Sequence, residues 1–370
     1  MHEKTYLLWL SNVKGLGIIT IQRLLTHFKT AKAIYDAPHQ LLLDKGVSNH
    51  VISAIREAKQ ISPDFYETIL AEQGVSYVTL ACDAYPERLK HIPSPPAVLY
   101  IKGTLPDDDI PIVAMVGSRK ASEYGVRLTL EISKYLASRG VVIASGMARG
   151  IDGFAHRGAL DVGGTTLAVL GCGVDMCYPT ENKAIYEAIP HQGALISEYF
   201  PGTPAHAGHF PMRNRIISGL SMGVVVTEAS PNSGSLITVE RALDQCRDVF
   251  AVPGNVTSKL SYGTNDLIKQ GAFLITSGQD VIEILRIKTL PPENTEINNP
   301  TRGVSATLTG DEKHVYDLIS SDAISVDTLL QHLHATSIDA QKLQYVLTML
   351  ELKQHIQRLP GSRYARVTHA

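Results

Sequence analysis

The stretch IVAMVGSRKASEYGVRLTLEISKYLASRGVVIASGMARGID, residues 112–152, decides the fold. It opens on an apolar run and a glycine turn. It continues through a segment with Tyr124, Leu128, Leu130, Ile132 and Leu136 at helical spacing, then closes on a second apolar run and a second glycine turn. This is a strand–helix–strand unit. A run apolar at every position, rather than at alternate ones, is what a strand covered on both faces requires. Reading outward, the pattern recurs at TLAVLG (166–171), ALISEY (194–199), GVVVTEA (223–229), VFAVPG (249–254) and AFLIT (272–276). Residues 111–286 are therefore expected to form a Rossmann-like, doubly wound, mostly parallel α/β sheet.

The flanks differ in character. Residues 1–70 read as a small helical domain with Ile18, Ile21, Leu24, Leu25 and Phe28 on one face, and VKGLGIITIQRLLTHF is similar to the hairpin of helix-hairpin-helix and SAM-like modules. Its glycines suit either a backbone approach to phosphate or plain packing. Residues 71–110 hold the strand-like VSYVTL and prolines 93, 95 and 96, and read as a connecting lead-in segment. Residues 287–306 are polar and proline-containing, a linker. Residues 307–370 read helix, helix, helix, β-wing, the order of a winged helix, with Thr309 capping the first helix and Asp339 opening the third. Lys342 and Lys353 on that third helix are offset by Asp339 and Glu351, so DNA binding and protein interaction both stay open.

Composition excludes several classes. With 370 residues, 44% of them hydrophobic and 19% charged, the chain suits several folded domains rather than disorder. It has no run of eighteen apolar residues and no signal-peptide pattern at its start, so a soluble, cytoplasmic protein without a membrane partner is expected. Four cysteines without a C-x-x-C pair indicate neither a disulfide framework nor a metal site. A net charge of −2 gives no general attraction to polyanions, so nucleic-acid binding requires a local patch.

The candidates for chemistry lie in the turns after the strands, where open α/β sheets bind ligands. Gly117, Ser118 and Arg119 read as a phosphate-binding turn at a helix N-terminus. G-x-G-x-x-G is absent, so a dinucleotide cofactor is not expected. Ser145, Gly146 and Arg149 form a second donor-rich turn, with Asp152 placed to cap the next helix and hold Arg149. His156 beside it lacks a nucleophile partner, and Cys172 lacks a base. Lys183 suits a phosphate contact or a solvated helix surface equally. In FPMRNR, Arg213 and Arg215 around Asn214 read as a cationic clamp, and Phe210 suits base stacking or core packing. His206 and His209 flank it. Ser233 and Ser235 open another helix at the same crevice. Together these turns fit a repeating polyanion or a phosphorylated nucleotide.

The strings VGSR, SGMARGID, GCGVDMCYPTEN, SEYFPG, FPMRNRIISGLS, SGSLITVERAL, VFAVPG and GTNDLIKQGA, in that order, resemble the DNA-processing protein A (DprA/Smf) family across the whole sheet domain. The flanks are similar to family variants with a SAM-like N-terminal domain and a C-terminal winged helix. The resemblance implies sequence-independent binding of single-stranded DNA, its protection, and loading of the RecA recombinase during natural transformation and recombination. It implies no covalent chemistry and no cofactor. It assigns the phosphate turn to Gly117, Ser118 and Arg119, a DNA contact to Lys183 and base stacking to Phe210. Where some relatives carry a lysine, this chain has Ala207, with His209 nearby. The resemblance further implies a homodimer through Ile268 and Leu274, and a RecA-facing surface with Asp248 and Lys269, although Ile268 also suits the core.

Two other functions compete. The domain also resembles, more distantly, nucleotide phosphoribohydrolases, whose P-G-G-x-G-T-x-x-E motif activates water through a Glu. The corresponding stretch here is SPNSGSLITVE, which lacks the glycine pair and keeps only Glu240. An adaptor role for the flanking domains is the other, and it is compatible with DNA binding. The expectation is that the chain is not an enzyme.

Overall fold

Within residues 112–116 the burial alternates between two cores: Ala114 and Val116 enter one, Val113 and Met115 the other. That explains an apolar run without polar interruption, since each face of the strand is covered by helices. The computed structural model describes residues 2–288, 308, 310–320, 324–333, 338–353, 355–359 and 363–366. The chain forms two compact units, Met1–Pro291 and Pro292–Ala370. Residues 289–306 of the expected linker, and Thr309, lie outside the described residues.

The first unit begins with six helices, α1 (Glu3–Ser11), α2 (Ile18–Phe28), α3 (Ala31–Asp36), α4 (His39–Asp44), α5 (Asn49–Ala58) and α6 (Asp64–Glu72). Trp9, Leu10, Leu24, Ile34, Leu42 and Ile55 form their core. Nine strands follow: β1 (Ser76–Thr79), β2 (Val98–Gly103), β3 (Ile112–Val116), β4 (Val142–Ser145), β5 (Thr166–Val169), β6 (Gly193–Ser197), β7 (Gly223–Val226), β8 (Asp248–Ala251) and β9 (Phe273–Leu274). Their order is β1-β2-β6-β5-β4-β3-β7-β8-β9. Pairing is parallel from β6 to β9 across the sheet and antiparallel at β1–β2 and β2–β6.

The helices of this unit are α7 (Glu87–Lys90), α8 (Glu123–Ala137), α9 (Ile151–Asp161), α10 (Lys183–Gln192), α11 (His209–Leu220), α12 (Ser235–Asp244), α13 (Tyr262–Lys269) and α14 (Gly278–Leu285). Ile132 and Leu136 of α8 cover one face of the sheet, and Ile216, Ile217 and Leu220 of α11 the other. The sheet is doubly wound and mostly parallel, as the apolar runs require.

The segment 71–110 is not a connector. It supplies β1 and β2, extending the sheet beyond β6, and its prolines flank a single helical turn, α7. β1 is the antiparallel edge strand and is only partly buried, whereas β2 lies inside the sheet with Leu99 and Ile101 in one core and Val98 and Tyr100 in another. The N-terminal helices also join the sheet, through Leu8 and Leu70 packed with Val98, Tyr100 and Val174.

The second unit has helices α15 (Gly310–Leu318), α16 (Val326–Leu333) and α17 (Ala340–Leu352) and strands β10 (Ile324–Ser325), β11 (Ile356–Leu359) and β12 (Arg363–Arg366), in sheet order β10-β12-β11. This is a winged-helix arrangement. Asp339 caps α17, accepting the Lys342 backbone N–H at 2.8 Å. Both lysines of interest are engaged within the unit, Lys342 with Asp311 at 2.6 Å and Lys353 with Glu312 at 2.7 Å. No helix among the described residues is long and apolar enough to cross a membrane.

Candidate functional site

After β3 the chain proceeds to β4 on one side of the sheet, while β7 returns to the other side of β3. Loops therefore diverge here and leave a crevice at the strand ends. A cavity of about 380 Å³ occupies it, lined by Gly117 and Arg119 after β3, Ala148 and Asp152 after β4, Tyr178 after β5, and Gly234 and Ser235 before α12. The first turns of α11 supply much of the remaining wall, with Ala205 and Ala207 just before them. Phe210, Arg213, Asn214 and Ile217 all line the cavity, and their spacing of three, four and seven puts them on one helix face.

Phe210 is the centre of the arrangement. The guanidinium groups of Arg119 and Arg213 each stand 6.0 Å from its ring centroid. Gly171 lies directly under the ring, where an added Cβ would come within 2.8 Å of Phe210 Cδ1. Tyr178 stacks on it with centroids 5.5 Å apart and planes 28° from parallel. Nearby, the His209 ring stacks on Tyr199 at 4.0 Å, with its Nδ1 3.1 Å from the Gly171 carbonyl oxygen.

Arg213 is buried and donates through Nη1 to the Val169 carbonyl. Burial pulls its guanidinium down to about 10, against the pull of Asp152. Asp152 is raised by its own burial, with Arg213 opposing. Gly146 separates the two: a Cβ there would run into Arg213 Nη1 and lie 2.7 Å from Asp152 Oδ2. Glycine is thus needed for both charged groups to share this floor. His156 is buried below, its Nδ1 2.7 Å from Thr166 Oγ1, and burial first and Arg213 second hold it neutral, down to about 3. It has no access to a ligand.

Several expectations need correction. Arg215 does not join a clamp with Arg213. It points away from the cavity and forms a buried ion pair with Glu198 at 2.6 Å. Arg149 is not held by Asp152, which instead accepts the N–H groups of Gly146 and Ala148 at 3.2 and 3.3 Å. Arg149 is exposed and its Nε donates to Glu181 at 2.9 Å. The Ser145 hydroxyl is buried and donates to the Met115 carbonyl at 2.6 Å, so it offers nothing to a ligand. Lys183 is an exposed side chain at the start of α10, outside the cavity wall and 3.8 Å from Glu187. Cys172 is buried, and burial pushes its thiol up to about 11.

The turn after β3 also differs from a simple phosphate cradle. Helix α8 starts at Glu123, and Ser122 rather than Ser118 caps it, accepting the Gly125 N–H at 3.2 Å. The buried Glu228 carboxylate already sits at that helix start, accepting the Ser122 N–H at 2.9 Å. The positive helix end is therefore neutralised from within the protein. Ser118 is used inside the turn: its N–H donates to the Glu228 carbonyl at 2.7 Å, and its Oγ accepts from Lys120 N–H at 3.1 Å. Gly117 and Arg119 remain on the cavity wall. Ser233 and Ser235 bond each other at 2.7 Å, and Ser235 lines the cavity.

Tyr178 and Glu228 were not singled out in the sequence. Tyr178 carried a usable signal, an aromatic in a polar turn after a strand, as Phe210 did. Glu228 carried none, since a glutamate following an apolar strand has no distinguishing context.

The sites assigned to a partner surface lie together at the opposite edge, around β9. Leu274 is 52% exposed and Phe273 43% exposed, while Ile275 is fully buried. Ile268 is half-buried and lines a groove between α12 and α13 together with Leu274 and Lys269. Asp248 is exposed at the start of β8. Glu240 lies in that same groove, not in the cavity.

Residues 76–286 match the family model of DNA recombination-mediator protein A, and residues 299–362 match that of the DprA winged helix domain. The chain belongs to the DprA family. It is 48% identical over 200 residues to the DNA processing protein DprA of Streptococcus pneumoniae, covering 54% of this chain and 71% of that one. It is 38% identical over 289 residues to the protein Smf of a Synechocystis species, covering 76% and 73%. Among solved structures, the X-ray structure of S. pneumoniae DprA superposes with a TM-score of 0.67 at 38% identity, covering 76% of this chain and 98% of that chain. A DprA structure from Helicobacter pylori, described for its single-stranded DNA binding mode, gives a TM-score of 0.51 at 31% identity, covering 57% and 96%.

Proposed function

We propose that this DprA-family chain is a cytoplasmic, non-enzymatic protein that binds single-stranded DNA without sequence preference. It shields incoming DNA and loads the RecA recombinase in natural transformation and recombination, acting as a homodimer. The observation that carries this reading is the cavity at the strand ends, where an aromatic ring and two guanidinium groups from separate turns converge. A stacking face beside cations matches a base and its phosphate together, and it reads no base edge. The single-stranded DNA binding named for the H. pylori relative supports the same reading.

Hydrolysis is less well supported. Among the described residues the cavity is lined by one carboxylate, Asp152, and that group is engaged by two backbone N–H groups. Glu240 stands in a different groove.

The test is fluorescence anisotropy with matched single- and double-stranded oligonucleotides, beside a mononucleotide-hydrolysis control. Preferential single-strand binding without turnover is expected. Arg119→Ala combined with Phe210→Ala is expected to abolish strand retention, each removing roughly 1–3 kcal/mol. Unchanged binding by the folded double variant would sink the cavity as the DNA site.

A further inference from the structure

Tyr178 is the residue at the cavity that the strand-binding reading leaves without a task. It is half exposed at the mouth, and its hydroxyl has no hydrogen-bond partner among the described residues. Its ring contacts one other aromatic, Phe210, in a stacked geometry. The two rings are not equally packed. Phe210 is seated on Gly171 and flanked by Arg119 and Arg213, on a helix whose next turn is buried. Tyr178 is 50% exposed, so its ring is the less packed of the two.

We propose that Tyr178 is a second base-stacking residue, a lid that covers Phe210 in the free protein and closes over a base inserted between the two rings. The proposal rests on the strand-binding reading and goes further by naming how one base is held. Insertion exchanges one ring–ring contact for two ring–base contacts, so the gain exceeds what Phe210 supplies alone. Every base presents a π-face to both rings, so such a clamp adds affinity without sequence preference. The cations remain beside the sandwich, where they meet the phosphates that flank the clamped base.

The experiment measures anisotropy with a labelled oligothymidylate and with an abasic deoxyribose-phosphate strand of the same length. Tyr178→Ala and Tyr178→Leu are expected to weaken oligothymidylate binding roughly tenfold. Both are expected to leave abasic binding unchanged, while Tyr178→Phe keeps wild-type affinity for both strands. Leucine keeps the apolar bulk, so a merely structural role would be preserved in that variant, and melting curves check that each variant is folded. Equal loss on both strands, or no loss on either, overturns the clamp while leaving strand binding intact. A wild-type protein that binds neither strand overturns the strand-binding reading itself, and the clamp with it.

Discussion

Arg213 and Arg215 show how two identical side chains two positions apart acquire different tasks. On a helix they point to nearly opposite sides, so both cannot face one cavity. Arg213 takes the cavity face with Phe210, while Arg215 is carried to Glu198 and Gln245 on the far side, where Gln245 donates to the Arg215 carbonyl at 3.0 Å. Reading them as one clamp counts the charges and neglects the helical period. Arg215 is instead a buried charge whose partner must stay. Glu198→Ala is expected to destabilise the fold by about 3 kcal/mol or more, because it leaves a buried guanidinium uncompensated. Urea denaturation measures it. A loss below about 1 kcal/mol contradicts the buried pair, and the strand affinity of the protein that remains folded is expected to be unchanged.

At the scale of elements, the parallel strands were legible because burial on both faces leaves an unbroken apolar run, as at 112–116 and 223–226. The place of β1 and β2 in the sheet was not, because VSYVTL reads as a strand without reporting its partner and the prolines between it and the apolar VLYI suggest a connector, although VLYI is buried on both faces. The helix start after β3 was misread for a different reason. Its compensating charge comes from Glu228, more than a hundred positions away, which no local pattern reports. At the opposite edge, β9 is two residues long and pairs with β8 alone, leaving Phe273 and Leu274 exposed beside the α12–α13 groove. An exposed apolar edge of this kind is a liability unless something covers it. A second copy of the chain is the covering expected from the homodimer reading. Ile268→Glu with Leu274→Glu is expected to yield a monomer by light scattering with little change in melting temperature, since neither side chain belongs to a buried core. A monomeric wild-type protein, or a variant that unfolds, contradicts this assignment.

For the whole molecule, charge is nearly balanced, with 34 basic and 36 acidic residues, and among the described residues several cations outside the cavity are held in ion pairs. Arg149 is held by Glu181, Lys342 by Asp311 and Lys353 by Glu312. Within the cavity a strand meets two guanidinium groups beside an aromatic surface, so for a strand held there alone stacking rather than counterion release is expected to dominate affinity. With two arginines per cavity, the slope of log K against log salt is expected near −1.4 per protomer, and roughly twice that when a dimer places both cavities on one strand. Arg119→Ala should flatten the single-cavity slope by about 0.7. Anisotropy titrations over a salt series measure both quantities. A slope much steeper than about −5 would mean that the backbone is gripped well beyond the cavity, and the balance between stacking and charge argued from these contacts would then be wrong.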